Sequence, residues 1–225
     1  MELVHFVDCL IDPISTLMPF NELLRKLSVV MFGLRNLMKS LVENAGIRYK
    51  RPYSIVSDSI LTRFGSKLVW MSEEENKVWK FTQRYSEEAH IFAHNLGIAP
   101  CVKFVTELPG NWKLVEMDLA PGDFWDPNNV PEIPPEHLET FWDGIGKFHE
   151  LYVHGDLRAQ NLLYSREHGF SIIDFDWSGE VNKARYPANM NHIDITWPAG
   201  AEPTRLITVD HDNWWLKQLQ LPTHQ

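Results

Sequence analysis

One segment of this 225-residue chain restricts its fold more than any other: residues 151–179, LYVHGDLRAQNLLYSREHGFSIIDFDWSG. Two short apolar runs, Leu162-Leu163-Tyr164 and Ser171-Ile172-Ile173, flank a turn at His168-Gly169, a pattern that predicts an antiparallel hairpin. Closing that hairpin brings Asn161, before its first strand, and Asp174, after its second, to the same end. An amide oxygen beside a carboxylate suits a hard cation such as magnesium. Asp156, on the loop just before, can accept a hydroxyl proton or orient an attacking hydroxyl. A metal to neutralise phosphate charge and a carboxylate to position the nucleophile are the parts that phosphoryl transfer needs.

The run His154-Gly155-Asp156-Leu157-Arg158-Ala159-Gln160-Asn161 matches the H-x-D-x-x-x-x-N catalytic loop, and Asp174-Phe175-Asp176 stands where D-F-G is found. Asn161 and Asp174 are thirteen positions apart, as that metal pair requires. On these residues the chain resembles the protein-kinase-like superfamily. Its H-G-D and D-F-D forms look more like aminoglycoside phosphotransferases and choline-kinase relatives than like typical protein kinases. In the tail, Ala184-Arg185-Tyr186-Pro187, Trp197-Pro198 and Asp210-His211-Asp212 resemble small kinase-like proteins of fungi, which supplies no acceptor. The resemblance implies an α+β, two-lobed protein-kinase-like fold with a small antiparallel-sheet lobe and a reduced helical lobe. It implies an ATP- and magnesium-dependent kinase or phosphotransferase whose acceptor is a hydroxyl, on a small molecule first and on a protein second. Asp156 would be the catalytic base, Asn161 and Asp174 the metal ligands, and Asp176 a further metal contact. Arg158 occupies the position where many kinases carry a phosphate-neutralising lysine, a place for stabilising transition-state charge.

Upstream the resemblance is carried by single residues. Residues 60–62, 67–71 and 77–82 read as three short strands, and a helix follows from Ser86, a good N-cap, to about Gly97. Lys80, on the third strand, looks like the lysine that steadies the nucleotide phosphates; the alternative is a solvated strand lysine. Its partner is expected to be Glu88 on the following helix, where the alternative is simple complementation of the helix dipole. Residues 102–106 and 112–117 suggest a further hairpin. Glu116 and Met117, within Leu114-Val115-Glu116-Met117-Asp118-Leu119 and followed by Ala120-Pro121-Gly122, resemble the hinge whose backbone receives adenine; the alternative is an edge strand with a turn. A helix over about 136–151 then leads into the catalytic loop.

Residues 14–44 carry a separate signal. Leu17, Phe20, Leu24, Leu27, Met31, Leu34, Met38 and Leu41 recur at steps of three and four and trace one apolar stripe of a helix. Such a helix packs on its own domain, or serves a partner helix, a dimer or, through Arg25, Lys26, Arg35 and Lys39, a membrane surface. The expected organisation is thus a helical extension over 1–51, a small lobe over 52–120 and a helical lobe over 121–225.

A net charge of -9 argues against a general nucleic-acid binder, which needs clustered Lys and Arg. Cys9 and Cys101 make neither a disulfide framework nor a zinc site. The start of the chain does not read as a secretory signal and contains no membrane-spanning run, so a cytoplasmic location is expected. His90 and His94, four apart on a helix, read as a solvated pair. Asp210-His211-Asp212 reads as an acidic cap to a final Trp-rich helix. His149-Glu150 and His154 miss the zinc-protease spacing by one residue. Only Gly65 lies between the first two strands, where a phosphate loop wants several glycines. That departure and the short helical lobe support a second reading, a catalytically silent pseudokinase acting as a binding or scaffolding module.

Overall fold

The computed structural model describes residues 62–63, 68–108 and 110–222, all in the unit Asp58–Gln225. The expected extension 1–51, its apolar helix over 14–44, and Gly65 lie outside the described residues. Five antiparallel strands form the small lobe: β1 (Thr62–Arg63), β2 (Val69–Ser72), β3 (Lys77–Thr82), β4 (Val102–Leu108) and β5 (Trp112–Asp118), in the order β1-β2-β3-β5-β4. The tight β2–β3 connection is made by polar residues: Ser72 Oγ accepts from the Glu75 amide at 3.2 Å, and Asn76 takes a left-handed φ of 52°. Sheet neighbours on both edges bury Leu114, Val115 and Met117 of β5.

Helix α1 (Glu87–Asn95) connects β3 to β4. Ser86 caps it, accepting from the Ala89 amide at 3.4 Å, and Gly97, at φ 76°, follows its end. Ala89 and Ala93 are fully buried, so their lack of bulk lets the helix sit close to the core.

The larger lobe contains β6 (Asp123–Phe124), α2 (Pro135–Leu151), β7 (Tyr152–Val153), a 3-10 turn (Ala159–Asn161), β8 (Leu162–Ser165), β9 (Gly169–Ile172), β10 (Gly179–Glu180) and α3 (Val209–Gln218). The expected hairpin is β8–β9, in register Leu162↔Ile172, with β6 on its outer side. Beyond the ladder the Ile173 amide donates to the Asn161 carbonyl at 2.9 Å, so both ends of the hairpin stay paired. Phe141, Ile145 and Phe148 of α2 recur at helical spacing and enter the core with Leu157, Leu162, Phe170, Ile172 and Phe175. A second cluster of Val153, Tyr186, Ala201 and Ile207 anchors the long connection from β10 to α3. This is the expected α+β arrangement, a sheet lobe and a helix-poor second lobe. Among the described residues no helix is long and apolar enough to cross a membrane.

Candidate active site

The loop 154–158 leaves β7 and is fixed from three sides. The Asp212 carboxylate on α3, fully buried, accepts the His154 amide at 2.6 Å on Oδ2 and the Gly155 amide at 2.8 Å on Oδ1. His154 is buried, and its Nδ1 accepts from the Asp156 amide at 3.3 Å. Its Nε2 must therefore carry the proton that goes to the Ile173 carbonyl at 3.1 Å. Burial lowers the His154 pKa, which agrees with this neutral tautomer. Gly155 has a φ of 83°, and a Cβ there would meet Ile207 Cδ1 at 2.8 Å. A glycine in the H-G-D loop is thus required by both backbone and space.

Asp156 is 8 % exposed, and both of its oxygens are engaged. Arg158 donates from Nε to Oδ1 at 2.5 Å and from Nη2 to Oδ2 at 2.8 Å. The guanidinium also lies over Trp197 at 5.5 Å and Trp215 at 6.0 Å. Asn161 donates from Nδ2 to the Asp156 carbonyl at 2.8 Å and to Oδ2 at 2.9 Å. With its nitrogen so fixed, Asn161 Oδ1 is buried and receives no hydrogen bond among the described residues. An orphaned buried acceptor of this kind is what a ligand to a hard cation looks like in the absence of the cation, so the residues fit magnesium. Among the described residues no three His, Cys, Asp or Glu side chains form a metal cage. An amide, a carboxylate, phosphate oxygens and water are the usual magnesium set instead.

The opposite wall is Lys80. Its ammonium pairs with Asp174 and, at 2.6 Å, with Asp176 Oδ1. Burial pushes the Lys80 pKa down, yet Asp174 and Asp176 outweigh it and the net shift is upward. Burial raises the pKa of Asp176 against the opposing pull of Lys80 and Thr82. Asp174 has a φ of 74°, a left-handed conformation that costs an L-residue energy and is found disproportionately at functional sites. Phe175, between the two aspartates, stacks on His90 of α1 with centroids 4.2 Å apart, and His154 packs edge-on to it at 5.1 Å. One aromatic column therefore runs from α1 to the loop 154–158.

Asp156, Arg158 and Asn161 come together, as do Lys80 and Asp174. Three other expectations need correction. Glu88 does not reach Lys80: it lies on the exposed side of α1 and forms no ion pair among the described residues, because the helix turns Ala89, His90 and Ala93 inward. Glu116 and Met117 are not free to read a base. Both lie within β5, between β3 and β4, and the Glu116 carboxylate accepts Trp79 Nε1 at 2.8 Å and Lys77 Nζ at 2.9 Å. The next two amides are also used, Asp118 by Cys101 O and Leu119 by Asn76 O. Ala120 is the first residue past β5 whose N–H has no partner among the described residues. His90 is not solvated. It is fully buried, donates from Nε2 to the Pro100 carbonyl at 2.9 Å and accepts from the Tyr85 hydroxyl on Nδ1.

Asp212, read from the sequence as part of an acidic cap, is instead a buried anchor of the loop. Asp212, Trp215, Leu216 and Leu219 recur at helical spacing and are all buried. An acid on the apolar face of a helix was the available sign of a buried anchor.

No family model matches the sequence, and no curated protein is similar to it. Among solved structures, the chain is similar to the kinase PK-1 of Cydia pomonella granulovirus. The two share 18% identity at a TM-score of 0.52, over 70% of this chain and 64% of that one. The chain thus spans somewhat under two thirds of that kinase. At this identity the likeness establishes the fold: the described residues adopt a protein-kinase-like fold.

Proposed function

We propose that the protein is a magnesium- and ATP-dependent phosphotransferase that acts on a hydroxyl group, of a small molecule in preference to a protein. The observation that carries the reading is the buried, unpartnered Oδ1 of Asn161, on the hairpin end shared with Asp174 and bonded through its own amide to Asp156. Asn161 and Asp174 would hold the cation, which when bound neutralises phosphate charge. Asp156 is the residue that would orient the acceptor hydroxyl and receive its proton. Arg158 and Asn161 fix its carboxylate, so little reorganisation is left for the moment of reaction. Lys80 would exchange part of its contact with Asp174 for phosphate oxygens. The backbone at 118–120 would read the base.

A second reading is favoured by one observation. Lys80 is held by both Asp174 and Asp176, so nucleotide entry has to disturb an existing charge cluster. A pseudokinase that binds partners instead of transferring phosphate needs no such rearrangement.

The thermal shift of the protein with ATP and magnesium, beside Asp174→Ala, separates the two. At about a hundred times its dissociation constant a ligand adds roughly 2.7 kcal/mol of stability. A magnesium-dependent rise that the variant loses supports the nucleotide site. No rise at millimolar nucleotide overturns it in favour of the scaffold.

A further inference from the structure

We infer that Asp176, and no residue of α1, is the carboxylate that positions Lys80 for a nucleotide's phosphates. The inference rests on the nucleotide reading above for its consequence; the pairing itself stands on geometry alone.

A lysine on a long, flexible stem needs a fixed anion to hold its ammonium in one place. Helix α1 offers none among the described residues: Glu88 faces outward, the inward positions are Ala89, His90 and Ala93, and the ion pairs of Lys80 go to Asp174 and Asp176 and not to the half-buried Glu87. The D-F-D segment takes over. Lys80 and Thr82 are two apart on β3, so their side chains share one face of the strand. Both reach the same carboxylate: Lys80 Nζ lies 2.6 Å from Asp176 Oδ1, and Thr82 Oγ1 lies 3.0 Å from Oδ2. The Thr82 hydroxyl divides its single proton between this oxygen and the Arg84 carbonyl at 2.9 Å. From the helix side, the Ser86 amide donates to the Phe175 carbonyl at 3.1 Å and pins the residue just before. Both oxygens of Asp176 are thus met by β3 of the small lobe. An aspartate as the third residue of the motif has a use here that glycine could not serve. It acts through Lys80, as a positioning residue.

Calorimetric titration with ADP and with adenosine, each without and with magnesium, tests the assignment. Asp176→Asn should weaken metal-free ADP about tenfold and leave adenosine unchanged. The same substitution should cost nothing further in a Lys80→Met background. Thr82→Val keeps the strand shape and all charges, and should shift ADP in the same direction by about threefold, roughly half as much in free energy. An ADP loss seen only with magnesium would make Asp176 a metal ligand and overturn the inference. So would an equal loss of adenosine, or losses that add to those of Lys80→Met. If the unaltered protein binds no ADP, the nucleotide reading is what fails. The pairing is then read from urea unfolding of the two single variants and the double: a non-additive result keeps it, and an additive one removes it.

Discussion

Asp212 and Gly155 stand 57 residues apart, and the carboxylate of one accepts the backbone N–H of the other at 2.8 Å. Its second oxygen takes the neighbouring His154 amide at 2.6 Å and faces His149 Nε2 at 3.3 Å. Asp212→Ala leaves two buried N–H groups without an acceptor, and each orphan costs about 1–3 kcal/mol. The variant should therefore lose about 3 kcal/mol in urea unfolding. Asp212→Asn keeps one acceptor and should lose less. Equal stability of all three proteins would show that α3 does not hold the loop.

Gly122 ties the connection between the lobes to the hairpin. Its φ is 96°, and a Cβ there would stand 2.1 Å from the Tyr164 carbonyl oxygen and 2.5 Å from its carbon. Backbone atoms of a paired strand cannot yield as a side chain would. Gly122→Ala should cost more than about 3 kcal/mol or prevent folding. Gly146 in α2 is the control, since nothing lies within 4 Å of its Cβ position. Gly146→Ala should raise the melting temperature, by about 0.5–1 kcal/mol of added helix stability.

The parts of the site that were legible in sequence are local. Asp156, Asn161 and Asp174 sit within nineteen residues on a hairpin whose own strand pattern brings them together. Lys80 was read from the resemblance, as the lysine among Val78, Trp79 and Phe81 on the third strand. What failed depended on tertiary phase. In a nine-residue helix with two alanines inward, the buried face is not the face with the largest apolar residues, so Glu88 was placed on the wrong side and His90 read as solvated. That β3 and β4 pair with β5 through Glu116 and Met117 was not legible, because a strand's pattern does not say where its neighbours stop pairing. Asp212 was read as part of an acidic cap because the partners that bury it lie on a loop more than fifty residues away.

Arg158 binds both oxygens of Asp156 while its guanidinium lies over two indoles. Lysine keeps the charge but has neither the fork nor the planar face. Arg158→Lys should leave the thermal shift with magnesium-ATP unchanged, because no nucleotide contact is assigned to this side chain. Slow ATP hydrolysis, with water as acceptor, should fall about tenfold, in line with one lost orienting contact of roughly 1.4 kcal/mol. A weaker thermal shift with unaltered hydrolysis would move Arg158 from the acceptor side to the nucleotide side.

His90 makes acid stability a test of the aromatic column. Burial lowers its pKa to about 3, against about 6.5 in an unfolded chain. The folded protein therefore keeps it neutral between the Tyr85 hydroxyl and the Pro100 carbonyl, while the unfolded chain takes up a proton as pH falls below about 6.5. More protons on the unfolded state means that stability falls with falling pH. The contribution is complete above about pH 6.5 and is lost progressively down to about pH 3. His154 and His211, both lowered by burial, act in the same direction. The His90 share is isolated by His90→Phe, which keeps a ring on Phe175 but cannot titrate. This variant should be less stable than the unaltered protein at pH 7.5, since the Tyr85 hydroxyl and the Pro100 carbonyl lose their partner. From pH 6 to 4 its stability should decline less steeply, by up to about 1.4 kcal/mol per pH unit, the effect of one proton. Urea midpoints at pH 7.5, 6, 5 and 4 give both curves. Parallel curves would mean that His90 is charged in the fold, and the neutral stack on Phe175 would have to be abandoned.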